Sequence, residues 1–309
     1  MLFDVFIFLL GVAFLVAGAW SMVTGGSRLA GALGVPSVLV GLTVVAWGTS
    51  APELVVSLMA ALRGSTDLML GNVIGSNVAN VGLILGISVL FLSPPGDRSL
   101  WRLEVPALLV GTALFTILGL DGKLDRPDGI ILMILFGWVT VRSIVQGMGR
   151  VHDERSNEGR GRGIIIGLIL TGAGTGAMIL GGRWIVDSAS QIARMLGASE
   201  IVIGLTLVAV GTSLPELAAT LIAAARRESG IALGNVVGSN LFNLLAVGGP
   251  VAVIKDVPVP RDVISREIPS LWIMTLALAA VLAVRGRIPR VLGAAMLIAY
   301  AAGVIWWIT

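Results

Sequence analysis

Cysteine is absent from this chain of 309 residues, which excludes disulfides and thiolate metal sites. Histidine occurs once, at His152, inside a polar stretch where a solvated loop residue is the plain reading. Charge is scarce too. Asp, Glu, Lys and Arg make up 13% of the residues, against about 25% in soluble domains. That is too little polar surface for a fold facing water. The short alternating segments of a membrane β-barrel are also missing. Apolar runs of roughly 20 residues recur instead, the length a helix needs to cross the hydrocarbon core. The first run carries Asp4 where a cleavable signal peptide would carry basic residues, so it reads as a retained span.

The pattern predicts an all-α polytopic membrane protein of about ten transmembrane helices. They fall near residues 2–23, 36–62, 68–92, 100–119, 127–147, 164–187, 199–226, 231–254, 268–284 and 289–308. Two stretches occur twice. VGLTVVAWGTSAPEL (40–54) is answered by IGLTLVAVGTSLPEL (203–217), and GNVIGSN (71–77) by GNVVGSN (234–240). Positions 48 and 211, 53 and 216, 71 and 234, and 80 and 243 all differ by 163. The chain therefore divides into a first transmembrane repeat (1–147), a polar cytoplasmic linker (148–163) and a second repeat (164–309). Five spans per half is an odd number, so the second half should enter the membrane inverted, as in many secondary transporters. The linker is too short to hold a regulatory domain.

Orientation follows from the basic residues. Arg28, Arg98, Arg102, Arg142, Arg150, Arg155, Arg160, Arg162, Arg226, Arg227, Arg285, Arg287 and Arg290 fall in one set of loops. Arg63, Lys123, Arg126, Arg183, Arg194, Lys255, Arg261 and Arg266 fall in the other. The larger set should be cytoplasmic, which puts both termini outside. The net charge of +3 then reflects topology and implies no nucleic-acid partner. Trp20, Trp101, Trp272, Trp306 and Trp307 lie near span ends, where an interfacial aromatic belt is expected.

Pro52 and Pro215 sit inside apolar segments, where proline removes a backbone donor and clashes with the preceding turn. The helix must kink or break there, leaving carbonyls near Ala46, Gly48 and Thr49 without regular partners. Such backbone survives in a membrane only where protein or a wet cavity satisfies it. Thr49, Ser50 and Glu53 share a helix-face spacing, as do Thr212, Ser213 and Glu216. Ser76, Asn77 and Asn80 repeat that spacing, as do Ser239, Asn240 and Asn243. The donors are all oxygens of carboxylate, hydroxyl and amide, the set that hard cations such as Ca²⁺ take; Na⁺ is similar in size. A carboxylate at mid-membrane costs at least ~2.5–3.5 kcal/mol. One divalent ion, or several monovalent ones, between two glutamates would remove both that cost and their repulsion.

These motifs resemble the two α-repeats of the sodium/calcium exchangers within the cation/calcium antiporter superfamily, prokaryotic branch. The resemblance covers nearly the whole chain. It implies a Ca²⁺ site formed by Glu53, Glu216 and the carbonyls of Thr49 and Thr212. It implies Na⁺ sites lined by Ala46, Ser50 and Ser76 with Ala209, Ser213 and Ser239, and it turns Asn80 and Asn243 toward the centre. Na⁺ would exchange for Ca²⁺ electrogenically by alternating access, as the first and sixth helices slide against a rigid core. No cofactor is implied, only the transported ions and membrane lipid, in the inner membrane of a bacterial or archaeal cell. A monomer is compatible with this reading. Some relatives carry Asp where this chain has Asn243, and asparagine there argues against a K⁺-dependent subtype.

Other readings remain. A Ca²⁺/H⁺ antiporter could use the same two glutamates as proton carriers. A passive cation channel is a different class, disfavoured by the broken helices and the lack of a filter-like tandem. An intramembrane enzyme fits the symmetric amides and hydroxyls worst. Asn77 and Asn240 suit helix packing and ion contact equally. Trp47 reads as packing against lipid or a neighbour. TGAGTGA (171–177) reads as a small-residue packing face, since no strand precedes it to make a dinucleotide site.

Overall fold

The computed structural model describes residues 2–148, 160–195 and 211–308. Within them the first half holds α1 (Leu2–Leu33), α2 (Ser37–Thr49), α3 (Ala51–Leu62), α4 (Thr66–Leu92), α5 (Glu104–Gly119) and α6 (Arg126–Met148). The second holds α7 (Arg160–Met195), α8 (Leu214–Ala225), α9 (Ser229–Ile254), α10 (Val263–Leu282) and α11 (Arg290–Ile308). Seven of these are long and apolar enough to cross a membrane, and the pair α2–α3, bent by 43°, makes an eighth. The apolar helices α5 and α8 are shorter than that over the described residues. Each of the ten predicted segments thus meets a helix, but ten full crossings are not reached by length and composition.

Two helices outrun their expected ends. α1 continues to Leu33 rather than residue 23, and α7 spans 160–195 rather than 164–187. Arg160–Gly163, read as linker, are the first turn of α7. The glycines that suggest an end instead serve contact. A Cβ on Gly11 would lie 2.8 Å from Gly181 O, one on Gly18 2.7 Å from Gly174 O, and one on Gly25 2.7 Å from Gly167 O. Small residues let membrane helices approach this closely. The 171–177 stretch is thus a packing face, through Gly174 and Thr171. Met148, also read as linker, ends α6, and residues 149–159, His152 included, lie outside the described residues.

Those contacts also show the inversion. Gly11 and Gly174 are repeat mates, as are Gly18 and Gly181, so Gly11 meets the mate of Gly18 and Gly18 the mate of Gly11 across antiparallel helices. Thr112 Oγ1 and its own mate Thr275 Oγ1 lie 3.5 Å apart, where the pseudo-twofold axis passes between α5 and α10. The loops repeat the relation. β1 (Lys123–Leu124) pairs antiparallel with β2 (Val257–Pro258), Lys123 opposite Pro258. Pro95 bridges Arg287 in the same way in the other loop set. Gly122 and Gly286, at φ 94° and 78°, make the two turns at left-handed angles that glycine adopts without penalty. The main core lies among α4, α5, α9 and α10, while α1 and α7 share a second cluster with Val40, Val45 and α8. Trp306 is exposed near the end of α11, as an interfacial belt requires, while Trp20, also exposed, lies well inside the longer α1.

Candidate functional site

Pro52 and Pro215 do break their helices, at the residue two before each. Ser50 sits at φ −86°, ψ 6° and Ser213 at φ −88°, ψ 4°, the same non-helical turn made twice. Helix α3 then restarts at Ala51 and α8 at Leu214, each with proline in its first turn, where the missing N–H costs nothing. The break changes one expectation. Glu53 does not share a continuous helix with Thr49; it lies in the first turn of α3, and Glu216 in the first turn of α8. At such an N-terminus the helix dipole favours negative charge.

The broken segments and the two Asn-rich helices meet across the repeats. Ser50 Oγ donates to Glu216 Oε1 at 2.8 Å. Thr49 Oγ1 donates to Asn235 Oδ1 at 3.1 Å and lies 3.5 Å from Ser239 Oγ. Asn80 Nδ2 donates to Asn240 Oδ1 at 3.3 Å. All of these groups are buried, and Glu53 and Glu216 are each 1% exposed. The two carboxylates lie within electrostatic reach of one another.

Several oxygens there have no hydrogen-bond partner: both of Glu53, Oε2 of Glu216, Oδ1 of Asn77, Asn80 and Asn243, and Oγ1 of Thr212. Buried polar atoms are normally satisfied, because a lone one costs about 1–3 kcal/mol. Here they gather around the two acids. Among the described residues no three His, Cys, Asp or Glu cluster, so a cation would be held by two carboxylates plus neutral oxygens.

Other predicted residues divide. Ser76 and Ser213 are buried in the same region. Asn77 bonds back to Val73 O of its own helix at 2.7 Å, a packing use, yet leaves its amide oxygen over. Ala46 lines α2, but its carbonyl is not orphaned: it accepts from Ser50 N at 2.9 Å, and Thr49 Oγ1, whose one proton it would share with Asn235, lies 3.2 Å away. Ala209 lies outside the described residues. Trp47 packs beside Phe136 and Phe242, with ring centroids 5.7 and 6.3 Å away.

The sequence reading passed over Asn72 and Asn235, the second residue of each GNV. Asn72 Nδ2 donates to Glu53 O at 3.1 Å and Ser57 Oγ at 2.8 Å. Asn235 Nδ2 donates to Glu216 O at 3.4 Å and Thr220 Oγ1 at 3.0 Å. Each amide fixes the backbone of an acid to the neighbouring helix. An amide kept at the same place in both repeats was the available signal. The helices also widen into π turns beside the outer amides, at Asn80–Leu85 and Phe242–Val247. Such turns are frequent at functional sites.

Comparison with known proteins gives a consistent picture. A family model described as sodium/calcium exchanger protein matches residues 3–145 and 166–309. The inner membrane protein YrbG of Escherichia coli is 32% identical over 287 residues, covering 90% of this chain and 88% of its own. The sodium/calcium exchanger MaX1 of Methanosarcina acetivorans is 30% identical over 341 residues, covering 96% of each. A solved structure of the sodium-calcium exchanger NCX_Mj, soaked with Na⁺ and Ca²⁺, superposes with a TM-score of 0.86 at 31% identity, covering 99% of this chain and 98% of that one.

Proposed function

The chain belongs to the sodium/calcium exchanger family, prokaryotic branch, and from that premise we propose that it exchanges Na⁺ for Ca²⁺, holding Ca²⁺ between Glu53 and Glu216. It is an integral membrane transporter rather than an enzyme, and the family relation carries cation/Ca²⁺ antiport. What favours the two-glutamate site is the unpartnered carboxylate of Glu53, facing a half that offers Glu216 and neutral oxygens. A carboxylate so placed is stable only with a cation or a proton beside it.

In this reading Ca²⁺ takes one oxygen or more from each glutamate, with the carbonyls of Thr49 and Thr212 completing the shell. Na⁺ ions use the remaining oxygens, from Ser50, Ser76, Asn80, Ser213, Ser239, Asn243 and the backbone of Ala46 and Ala209. One Ca²⁺ and several Na⁺ neutralise the same two charges, so each displaces the other. The repeats 1–147 and 164–309 supply one acid each, and the linker 148–163 joins them on the cytoplasmic side. In this reading alternating access has the α1–α7 pair, which packs on Val40, Val45 and α8, sliding against the main core. Both termini are then outside. The chain has no native cysteine, so Gly161→Cys can be tested with an impermeant maleimide on intact cells; labelling from outside would reverse the orientation.

The runner-up is Ca²⁺/H⁺ antiport, in which the proton replaces Na⁺ on the same carboxylates. Purified protein in vesicles separates the cases. An outward Na⁺ gradient should drive ⁴⁵Ca²⁺ uptake above equilibrium with the pH equal on both sides. Uptake driven only by a proton gradient would give the second reading its place. Simple equilibration of Ca²⁺ would indicate a channel.

A further inference from the structure

Away from the central site a cavity of about 320 Å³ opens where several helices end together. α4 stops at Leu92, α8 at Ala225, and α9 begins at Ser229, while the α10–α11 turn brings in Arg287. Arg227 and Arg287 line it from different loops, and no acid does. Both side chains are exposed, and neither makes an ion pair among the described residues. Helix α9 contributes Ser229 of its first turn to the lining, and Glu228 stands at its N-cap without a side-chain cap bond. Next to the cavity Arg226 lies 4.5 Å over the exposed ring of Trp20. Phe91, one residue inside the rim, is 67% exposed.

The inverted repeat supplies its own control. The equivalent region in the other loop set has the same backbone, with Lys123 opposite Pro258 where Arg287 bridges Pro95. Its charges differ. Lys123 is paired with Asp125 at 3.3 Å and Asp256 at 3.7 Å, and Asp125 first, then Asp256, hold its ammonium above the usual lysine range. Lys255 stands there too, directly before Asp256 in the chain. The mate of Arg227 is Gly64, at φ 82°, and Arg227 keeps that left-handed turn at φ 62°, where any side chain is disfavoured. One loop set has thus balanced its cations. The other leaves Arg227 and Arg287 without an ion pair among the described residues, although Glu228 follows Arg227 directly, and Arg227 sits on a backbone suited to glycine.

We propose that this cavity is a binding site for a phosphate group, and that its occupant is the headgroup of an anionic lipid. Two guanidinium forks suit phosphate oxygens. The placement at span ends, beside exposed apolar side chains, suits a phosphate that carries acyl chains.

The test uses the delipidated full-length protein in detergent, titrated with phosphatidylglycerol, phosphatidylcholine or inorganic phosphate and read by native mass spectrometry. Phosphatidylglycerol should bind at least tenfold tighter than phosphatidylcholine. Arg227→Gly and Arg287→Gln should each weaken it about fivefold, and together about 25-fold. Lys123→Gln, in the other loop set, should leave it unchanged. Arginine-dependent binding of inorganic phosphate but not of phosphatidylglycerol would keep the phosphate site and overturn the lipid assignment. Equal binding of the two lipids, or a double variant that binds like the parent, would overturn the site.

Discussion

The hydroxyl of Ser50, at the break of one repeat, donates to Oε1 of Glu216 in the other at 2.8 Å. The two halves of the site are therefore linked side chain to side chain. A hydrogen bond to a charged group contributes about 1.5–3 kcal/mol. Ser50→Ala should weaken Ca²⁺ binding by about tenfold or more, measured by titration calorimetry on purified protein. An unchanged affinity would mean the hydroxyl only packs.

Asn235 should matter more to stability than its mate. Both amides hold the carbonyl of an acid, but Asn235 also accepts from Thr49 and is fully buried. Asn235→Ala leaves three groups short of partners, at about 1–3 kcal/mol for each buried one. Its melting temperature in detergent should fall clearly below that of Asn72→Ala. Equal losses would show that the contact with Thr49 contributes nothing.

How far the sequence reached can be judged from these same residues. The broken helices and the two acids were legible because proline has a local, context-free effect and the motif occurs twice at one offset. The satisfied carbonyl of Ala46 was not, because Pro52 removes the donor for Gly48, four residues back, while Ser50 N still bonds Ala46. Asn72 and Asn235 were hidden among glycines that read as packing residues. The ends of α1 and α7 were misjudged for a related reason. Gly25 lies past the expected end at residue 23, yet it is where α7 comes within contact of α1, and only the partner helix reveals that.

The glycine contact gives a second stability test. A Cβ on Gly174 would lie 2.6 Å from Gly18 O and Met22 N, whereas Gly172, two residues earlier, is exposed. Gly174→Ala should destabilise by about 1–3 kcal/mol through overpacking. Gly172→Ala should be neutral or slightly stabilising, since alanine is the better helix former. Thermal unfolding of both variants checks the contrast, and equal behaviour would contradict close α1–α7 packing.

Asn243 is fully buried, and both of its amide atoms lack partners. Asn243→Asp adds a third acid to the same region, at a cost met only by a cation. The variant should melt lower than the parent in chelator and without Na⁺, and should gain more than the parent when Ca²⁺ is added. A Ca²⁺-induced shift no larger than the parent's would place Asn243 outside the ion path.

The most direct test of the central claim is anomalous scattering from crystals soaked with Sr²⁺ as a Ca²⁺ surrogate. The account predicts one strong peak ligated by carboxylate oxygens of both Glu53 and Glu216, weakened as Na⁺ in the soak is raised. A peak that touches neither glutamate, or one indifferent to Na⁺, would contradict it.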